Sequence, residues 1–289
     1  MPALQLVANG ILLGGMYILI AQSLNLIFGV MGIVNFAHGA FIAMSGLFTY
    51  WFATHLHLNP LIAVPLVFAA MTAFGAAVQR LLLERLSGIG RRHELLSLII
   101  TFGLSYILIE IALQVFGTDY VSLPDLQQTW VIGGVTFNAA LMVSGLVGAA
   151  ISGLLHAWLN WTGAGKALLA AAQSETGAVS CGIDVGRMRM AAFAIASGLA
   201  GLAGMLIILV MPIAAQSAGD LTILAFVMIA LGGLGNYKGV AVAALLLGVA
   251  QSIAGYYIGG DVETVLPYVL LIVVMAFGPR SLRVAQARR

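Results

Sequence analysis

Six polar side chains stand in stretches that are otherwise apolar: Asn9, Gln22, Asn25, Asn35, His38 and Glu110. Polar groups inside membrane-length apolar segments are costly, and they mark solute and ion pathways. Four of the six are neutral amides. An amide donates and accepts hydrogen bonds without carrying charge, so a path lined by amides can pass a neutral or zwitterionic polar solute without trapping it. Glu110 is the one acid placed within a span. It reads as a pathway or proton-relay group, or as a carboxylate that reaches the interface or pairs internally. His38 sits in Asn35-Phe36-Ala37-His38-Gly39, at a break in the apolar pattern. It reads as a path-lining group, or as the hydrogen-bond anchor of a helix start. These six are the candidate translocation-path residues.

Other chemistry lacks its residues. No G-x-x-x-x-G-K-[ST] loop is present to cradle nucleotide phosphates. No His, Cys, Asp and Glu cluster has metal-ligand spacing, and no G-x-S-x-G nucleophile elbow occurs. The Ser-Gly pairs beginning at Ser45, Ser144, Ser152 and Ser197 read as close-packing sites. Cys181 is the single cysteine, so no intrachain disulfide can form, and it reads as a small apolar filler. The expectation is a chain that is no enzyme and carries no metal or cofactor of its own.

The elements that must hold the polar residues follow from charge and hydropathy. The 289 residues are 62% hydrophobic and 8% charged, where soluble domains carry about 25% charged residues. Residues 1–79 contain no Asp, Glu, Lys or Arg. A transmembrane helix takes about 20 apolar residues. Apolar runs at 4–28, 36–54, 60–83, 95–117, 138–160, 189–211, 221–235, 240–258 and 265–279 predict an all-α polytopic bundle, one domain over 1–289, with eight or nine spans. The 36–54 run opens on a polar cluster and the 221–235 run ends in Gly232-Gly233-Leu234-Gly235, so either could be a half-helix or a re-entrant segment. The start Met1-Pro2-Ala3 lacks the basic region of a cleavable signal peptide, which reads as a retained first helix. Small-xxx-small spacings such as Gly10/Gly14 and Ala200/Gly204 suit close helix approach.

Charge sets the orientation. Basic residues gather at 84–94, 161–188 and 280–289, with Arg80, Arg189 and Lys238 at the adjoining helix ends. By the positive-inside tendency these face the cytoplasm. The segments 55–59, 118–137, 212–220 and 259–264 then lie outside, with the N-terminus outside and the C-terminus inside. The net charge of +2 describes these loops and is no argument for nucleic acid. Two connections have room for a role. Residues 129–137 hold two β-prone runs around Gly133-Gly134 and predict an outer hairpin. Residues 166–180 have helix-forming composition and predict a short helix on the inner surface, the largest inward feature of the chain.

Three ordered motifs carry a resemblance. Gly29-Val30-Met31-Gly32-Ile33-Val34-Asn35-Phe36-Ala37-His38-Gly39-Ala40-Phe41 comes first. Gly165 to Gly182 follows, with Ala192 to Gly204 after it. Leu231-Gly232-Gly233-Leu234-Gly235-Asn236, with Gly239, comes last. Together they resemble the permeases of branched-chain amino acid ABC transporters, the smaller permease subunit in length, over nearly the whole chain. The resemblance implies a bacterial inner-membrane subunit paired with a second, related permease. Two cytoplasmic ATPase subunits would bind the ATP, and a periplasmic binding protein would deliver leucine, isoleucine or valine, or in some relatives another amino acid, an amide or urea. It implies that the segment at about 162–188 couples to the ATPases through Lys166, Glu175, Gly177, Ala178 and Gly182. Leu169 departs from the pattern, since Arg often stands there. The implied mechanism is alternating access, with Gly29, Gly32, Gly232, Gly233 and Gly235 as candidate hinges. The alternative reading of the residues is a stand-alone proton-coupled carrier or channel for a small polar solute. Such carriers cluster ionisable groups in their spans, and this chain offers Glu110 and His38.

Overall fold

The computed structural model describes residues 2–56, 62–86, 92–123 and 128–277. The expected segment 55–59, the helix start at 60, and Arg91, Asp125, Arg280, Arg283, Arg288 and Arg289 lie wholly or in part outside them. Eleven α-helices and one hairpin occur among the described residues. They are α1 (Pro2–Met31), α2 (His38–Leu56), α3 (Val64–Val78), α4 (Arg92–Phe116), α5 (Ala139–Trp161), α6 (Gly163–Gln173), α7 (Glu175–Ser180), α8 (Val185–Val210), α9 (Ala218–Gly232), α10 (Tyr237–Tyr257) and α11 (Gly260–Phe277), with β1 (Thr129–Ile132) and β2 (Val135–Asn138) between α4 and α5. All but α6 and α7 build the bundle. Seven membrane-crossing candidates have the length and apolarity to span: α1, α3 with its extension to Leu83, α4, α5, α8, α9 with the turn before it, and α10. The polytopic all-α bundle read from hydropathy is therefore the observed architecture.

Helices α1 and α8 are its axis. Of their most apolar 18 residues, 83% and 89% are buried, against 22% for α4 at the periphery. Small residues let the axis close. A Cβ on Gly10 or Gly14 would stand 2.5 Å from Val249 Cα and 2.6 Å from Leu245 Cα, so α1 and α10 cross backbone to backbone. Gly145 and Gly148 bring α5 equally near Leu12 and Gly15. On the other side Phe41, Phe74 and Phe193 stack edge to face between α2, α3 and α8. In lipid, where helices gain little from apolar burial alone, such close packing supplies the association energy.

Helix ends depart from the hydropathy boundaries where a side chain caps them. The Asp184 carboxylate accepts from Arg187 N at 3.0 Å and starts α8 four residues early. Asn236 accepts from Gly239 N at 3.1 Å and starts α10 three residues early. Gly233, at φ 91°, stops α9 at Gly232 rather than at 235. Past Val78 the third helix continues as a π-helical turn, Gln79–Leu83, and a 3-10 turn, Glu84–Leu86.

The hairpin is the one expected, with Ile132 paired to Val135 and Gly133 and Gly134 at φ 60° and 79°. Positive φ at both central residues gives the turn that matches strand twist. Gln5 fastens it to α1: its Oε1 accepts from Thr136 N at 2.7 Å and its Nε2 donates to the Thr136 carbonyl. A β-bridge between Val121 and Ile213 ties the neighbouring connections together.

Candidate functional site

Two chain breaks pack against α1, on different faces. The first is residues 32–37, which leave α1 through Gly32 at φ 66°. They do not stay at the helix end. His38 Nε2 lies 3.1 Å from the Ile20 carbonyl and 3.2 Å from Ser23 Oγ. Ile20 and Ser23 precede the end of α1 by eleven and eight residues, or ~16 and ~12 Å along the axis. The chain therefore turns back into the bundle, and α2 begins in its interior, as a half-helix start would.

A helix start leaves N–H groups without intrahelical acceptors, and burial makes each costly. Here side chains from three elements meet them. Asn35 Oδ1 accepts from Ala37 N at 3.0 Å, Thr101 of α4 accepts from Phe36 N at 3.2 Å, and Thr222 of α9 accepts from Gly39 N at 2.9 Å. Gly39 must be glycine for this. A Cβ there would lie 1.9 Å from the Ala218 carbonyl oxygen and 2.4 Å from Thr222 Oγ1.

The second break is residues 233–236. Gly235, at φ 76°, donates its N–H to Asn25 Oδ1 at 2.8 Å. Gln22 Nε2 donates to the Tyr237 carbonyl at 3.4 Å, while Ser152 Oγ of α5 donates to Gln22 Oε1 at 2.6 Å. The loop rests on α1 at Gly29, where a Cβ would make ordinary van der Waals contact with Gly235 Cα at 3.6 Å, so the approach itself does not require glycine. Gly232 packs so closely on α10 that a Cβ would stand 2.4 Å from Val240 Cα.

The structure thus gathers Asn35, His38 and Gly32 at the first break and Gln22, Asn25, Gly29, Gly232, Gly233 and Gly235 at the second, the two breaks meeting different faces of α1. All four polar side chains are buried. Four of the buried polar atoms here have no partner among the described residues: Asn25 Nδ2, Asn35 Nδ2, His38 Nδ1 and Tyr237 Oη. With the ring proton on Nε2, toward the Ile20 carbonyl, Nδ1 is an acceptor. The first break therefore holds an amide donor and an imidazole acceptor, and the second an amide donor and a phenol. Two path candidates lie elsewhere. Asn9 is half-buried and accepts from Gln5 at 3.2 Å, under the hairpin. Glu110 is exposed on α4 and accepts from Gln114 at 3.2 Å. Among the described residues no group of three His, Cys, Asp or Glu could hold a metal ion.

The segment between α5 and α8 is a capped pair of helices, not the single helix read over 166–180. Thr162 accepts from Gly165 N and starts α6; Ser174, extended at φ −158°, accepts from Gly177 N and starts α7. Ser174 is the break. Ala178 is buried and packs with Ala171 and Val185 on Ile183 and Met188, which fixes α7 to α6 and to the start of α8. Glu175 adds an ion pair to Arg189 at 2.9 Å. Gly182, at φ 77°, turns the chain toward α8. Lys166 is exposed on α6. The segment is thus joined to α8, one of the two axial helices.

Comparison with known proteins identifies the family. A family model described as the permease component of the branched-chain amino acid transport system matches residues 6–275. The permease protein LivH of Escherichia coli K12 is 28% identical over 305 residues, covering 96% of this chain and 94% of LivH. LivH of Salmonella typhimurium is 27% identical at the same coverage. BraD of Pseudomonas aeruginosa is 28% identical, covering 96% of this chain and 95% of its own. All three are named high-affinity branched-chain amino acid transport system permease proteins. No solved structure matches the chain. The match over residues 6–275 places this chain in the family of branched-chain amino acid transport permeases.

Proposed function

We propose that this chain is the membrane-spanning permease subunit of an ABC importer that carries branched-chain or closely related amino acids inward across the bacterial inner membrane. Its basic end faces the cytoplasm. Two ATPase subunits press on α6 and α7, a binding protein delivers solute at the opposite end, and a second permease completes the path. The observation that carries the reading is the inward helix pair itself. It is capped at Thr162 and Ser174, packed through Ala178 and tied to α8 by the Glu175–Arg189 pair. A chain with no phosphate-binding loop of its own needs an element through which a partner's ATP cycle can act, and this one joins directly to the bundle axis.

In this reading a push on α7 tilts α8 as a rigid body. The core then shifts between outward and inward states at the two glycine-marked breaks. An input biases such an equilibrium only by interacting differently with its two states. The unpartnered Asn25, Asn35, His38 and Tyr237 atoms at the junction are groups able to change partners between states or to hydrogen-bond a passing solute. The test is a mild-detergent purification of the tagged chain from its native membrane. Recovery of P-loop ATPases and a second polytopic chain supports the reading. Recovery of the chain alone contradicts it and favours the proton-coupled carrier.

A further inference from the structure

The two sides of α3 meet different surroundings. On one side a Cβ on Gly75 would overlap Ser197 and lie 3.2 Å from the Phe193 carbonyl oxygen of α8, and Val78, Gln79 and Leu83 are buried. On the other side Leu66, Ala69, Ala73, Ala77 and Arg80 are exposed at helical spacing. Arg80 therefore points away from the bundle. It is the one charged residue in the span Val64–Leu83. It stands three residues from the end of that span, ~4.5 Å along the axis. Leu81 and Leu82 beside it are 58% and 38% exposed. Arg85 follows, also exposed, in the 3-10 turn. Neither arginine has an ion pair among the described residues. Glu84, the acid that stands between them in the chain, is already engaged. A guanidinium beside hydrocarbon without a counter-charge is costly, and its long stem lets it reach the headgroup level to find one.

We propose that the basic end of α3 binds an anionic phospholipid, its phosphodiester oxygens on Arg80 and Arg85 and an acyl chain along the line from Ala77 to Leu66. Charge and depth both fit this occupant. The planar fork of a guanidinium matches phosphate oxygens two at a time, and lipid phosphates stand at this depth all round a membrane protein. A helix of another chain would have to bring an acid to the same depth in the apolar layer, where acids are rare. A second copy of this chain in the same orientation has none to bring: the acids in its seven spans, Glu110 and Asp220, both stand in the opposite half. The site is independent of the importer reading, since it needs only α3 and a bilayer. It lies behind the contact of α3 with α8, so a bound lipid braces the end of α3 against one of the two axial helices.

The test places the photoreactive residue p-benzoylphenylalanine at Leu81, beside Arg80, or at Leu66, toward the other end of the same face. The full chain, with any subunits that co-purify, is reconstituted in vesicles of phosphatidylcholine with a minor share of phosphatidylglycerol, equal in both leaflets. Mass spectrometry of the adducts identifies what each position touches. From Leu81 the ratio of phosphatidylglycerol to phosphatidylcholine adducts is expected roughly tenfold above that of the membrane. From Leu66 it should match the membrane. Arg80→Gln combined with Arg85→Gln should bring the Leu81 ratio down to the Leu66 level. Arg187→Gln, at the same end but paired to Asp184, should leave it high. Should the double variant fail to insert, the two ratios in the otherwise unchanged chain still decide. Equal ratios at Leu81 and Leu66 overturn the site. So does an excess that survives the double variant or is lost equally with Arg187→Gln, and so does a Leu81 adduct to a polypeptide in place of lipid.

Discussion

Gly39 shows how narrowly the junction is built. Its neighbours are the Ala218 carbonyl and the hydroxyl that receives its own N–H, so an added methyl group must push α2 away from α9. Overpacking of this kind costs about 1–3 kcal/mol or more. Gly39→Ala should therefore lower the thermal unfolding midpoint of the detergent-purified assembly sharply, whereas Gly153→Ala, with nothing within 4 Å of the added Cβ, should not lower it. Thr222→Val keeps the volume and removes the acceptor of a buried N–H, a loss of about 1–3 kcal/mol. Thr222→Ser should restore most of it. Sequence reading found His38 and Asn35 because they interrupt an apolar run. It missed Thr101 and Thr222, and took Ser152 only as a close-packing site. Single hydroxyls in apolar helices interrupt nothing, and their partners lie 65, 183 and 130 residues away. Burial also separates Glu110 from the other candidates, which spacing alone could not do: its position within a span was legible, but not the side of α4 on which it stands.

At the scale of elements the informative difference is Ser174. Composition over 166–180 favours helix throughout, and a serine inside such a run looks the same whether it continues the helix or starts a new one. The packing of Ala178 against Ala171 and Val185 decides it, because a straight helix would carry Ala178 away from α8. Loss of the cap in Ser174→Ala should cost about 1 kcal/mol. It should appear as faster hydrogen exchange over 175–180 and weaker coupling of ATP hydrolysis to uptake, with the spans unaffected. The Glu175–Arg189 pair is 59% and 23% exposed in its side chains, so its contribution to stability is at most about 1 kcal/mol. Its role is positional. Glu175→Gln should leave the thermal midpoint within error while lowering solute-stimulated ATPase activity of the assembly. Equal ATPase activity in variant and parent would remove this pair from the coupling path. The hairpin was legible in full because Gly133-Gly134 between β-prone runs admits few other structures. Helix ends were legible only to a few residues, since the caps at Asp184 and Asn236 precede the apolar pattern that reveals the helix.

The whole molecule was the most legible level. A chain with no charge before Arg80 has few ways to fold other than across a bilayer, and the antiparallel packing of α3 on α8 and of α1 on α10 gathers Arg80, Lys166, Arg187, Arg189 and Lys238 at one end. Where the half-helix begins was hinted at by the polar cluster at 35–39. How far it re-enters depended on the Ile20–His38 contact, which no local pattern encodes. The central claim is that a partner's ATP cycle, acting through α6 and α7, drives solute through this bundle. The most direct measurement is uptake of labelled leucine into proteoliposomes that hold the purified assembly, with binding protein outside-facing and ATP or a non-hydrolysable analogue enclosed with the ATPases. The account predicts uptake with ATP, none with the analogue, and a marked loss with Ser174→Ala. Uptake by this chain alone, driven by a proton gradient and abolished by Glu110→Gln, would contradict it.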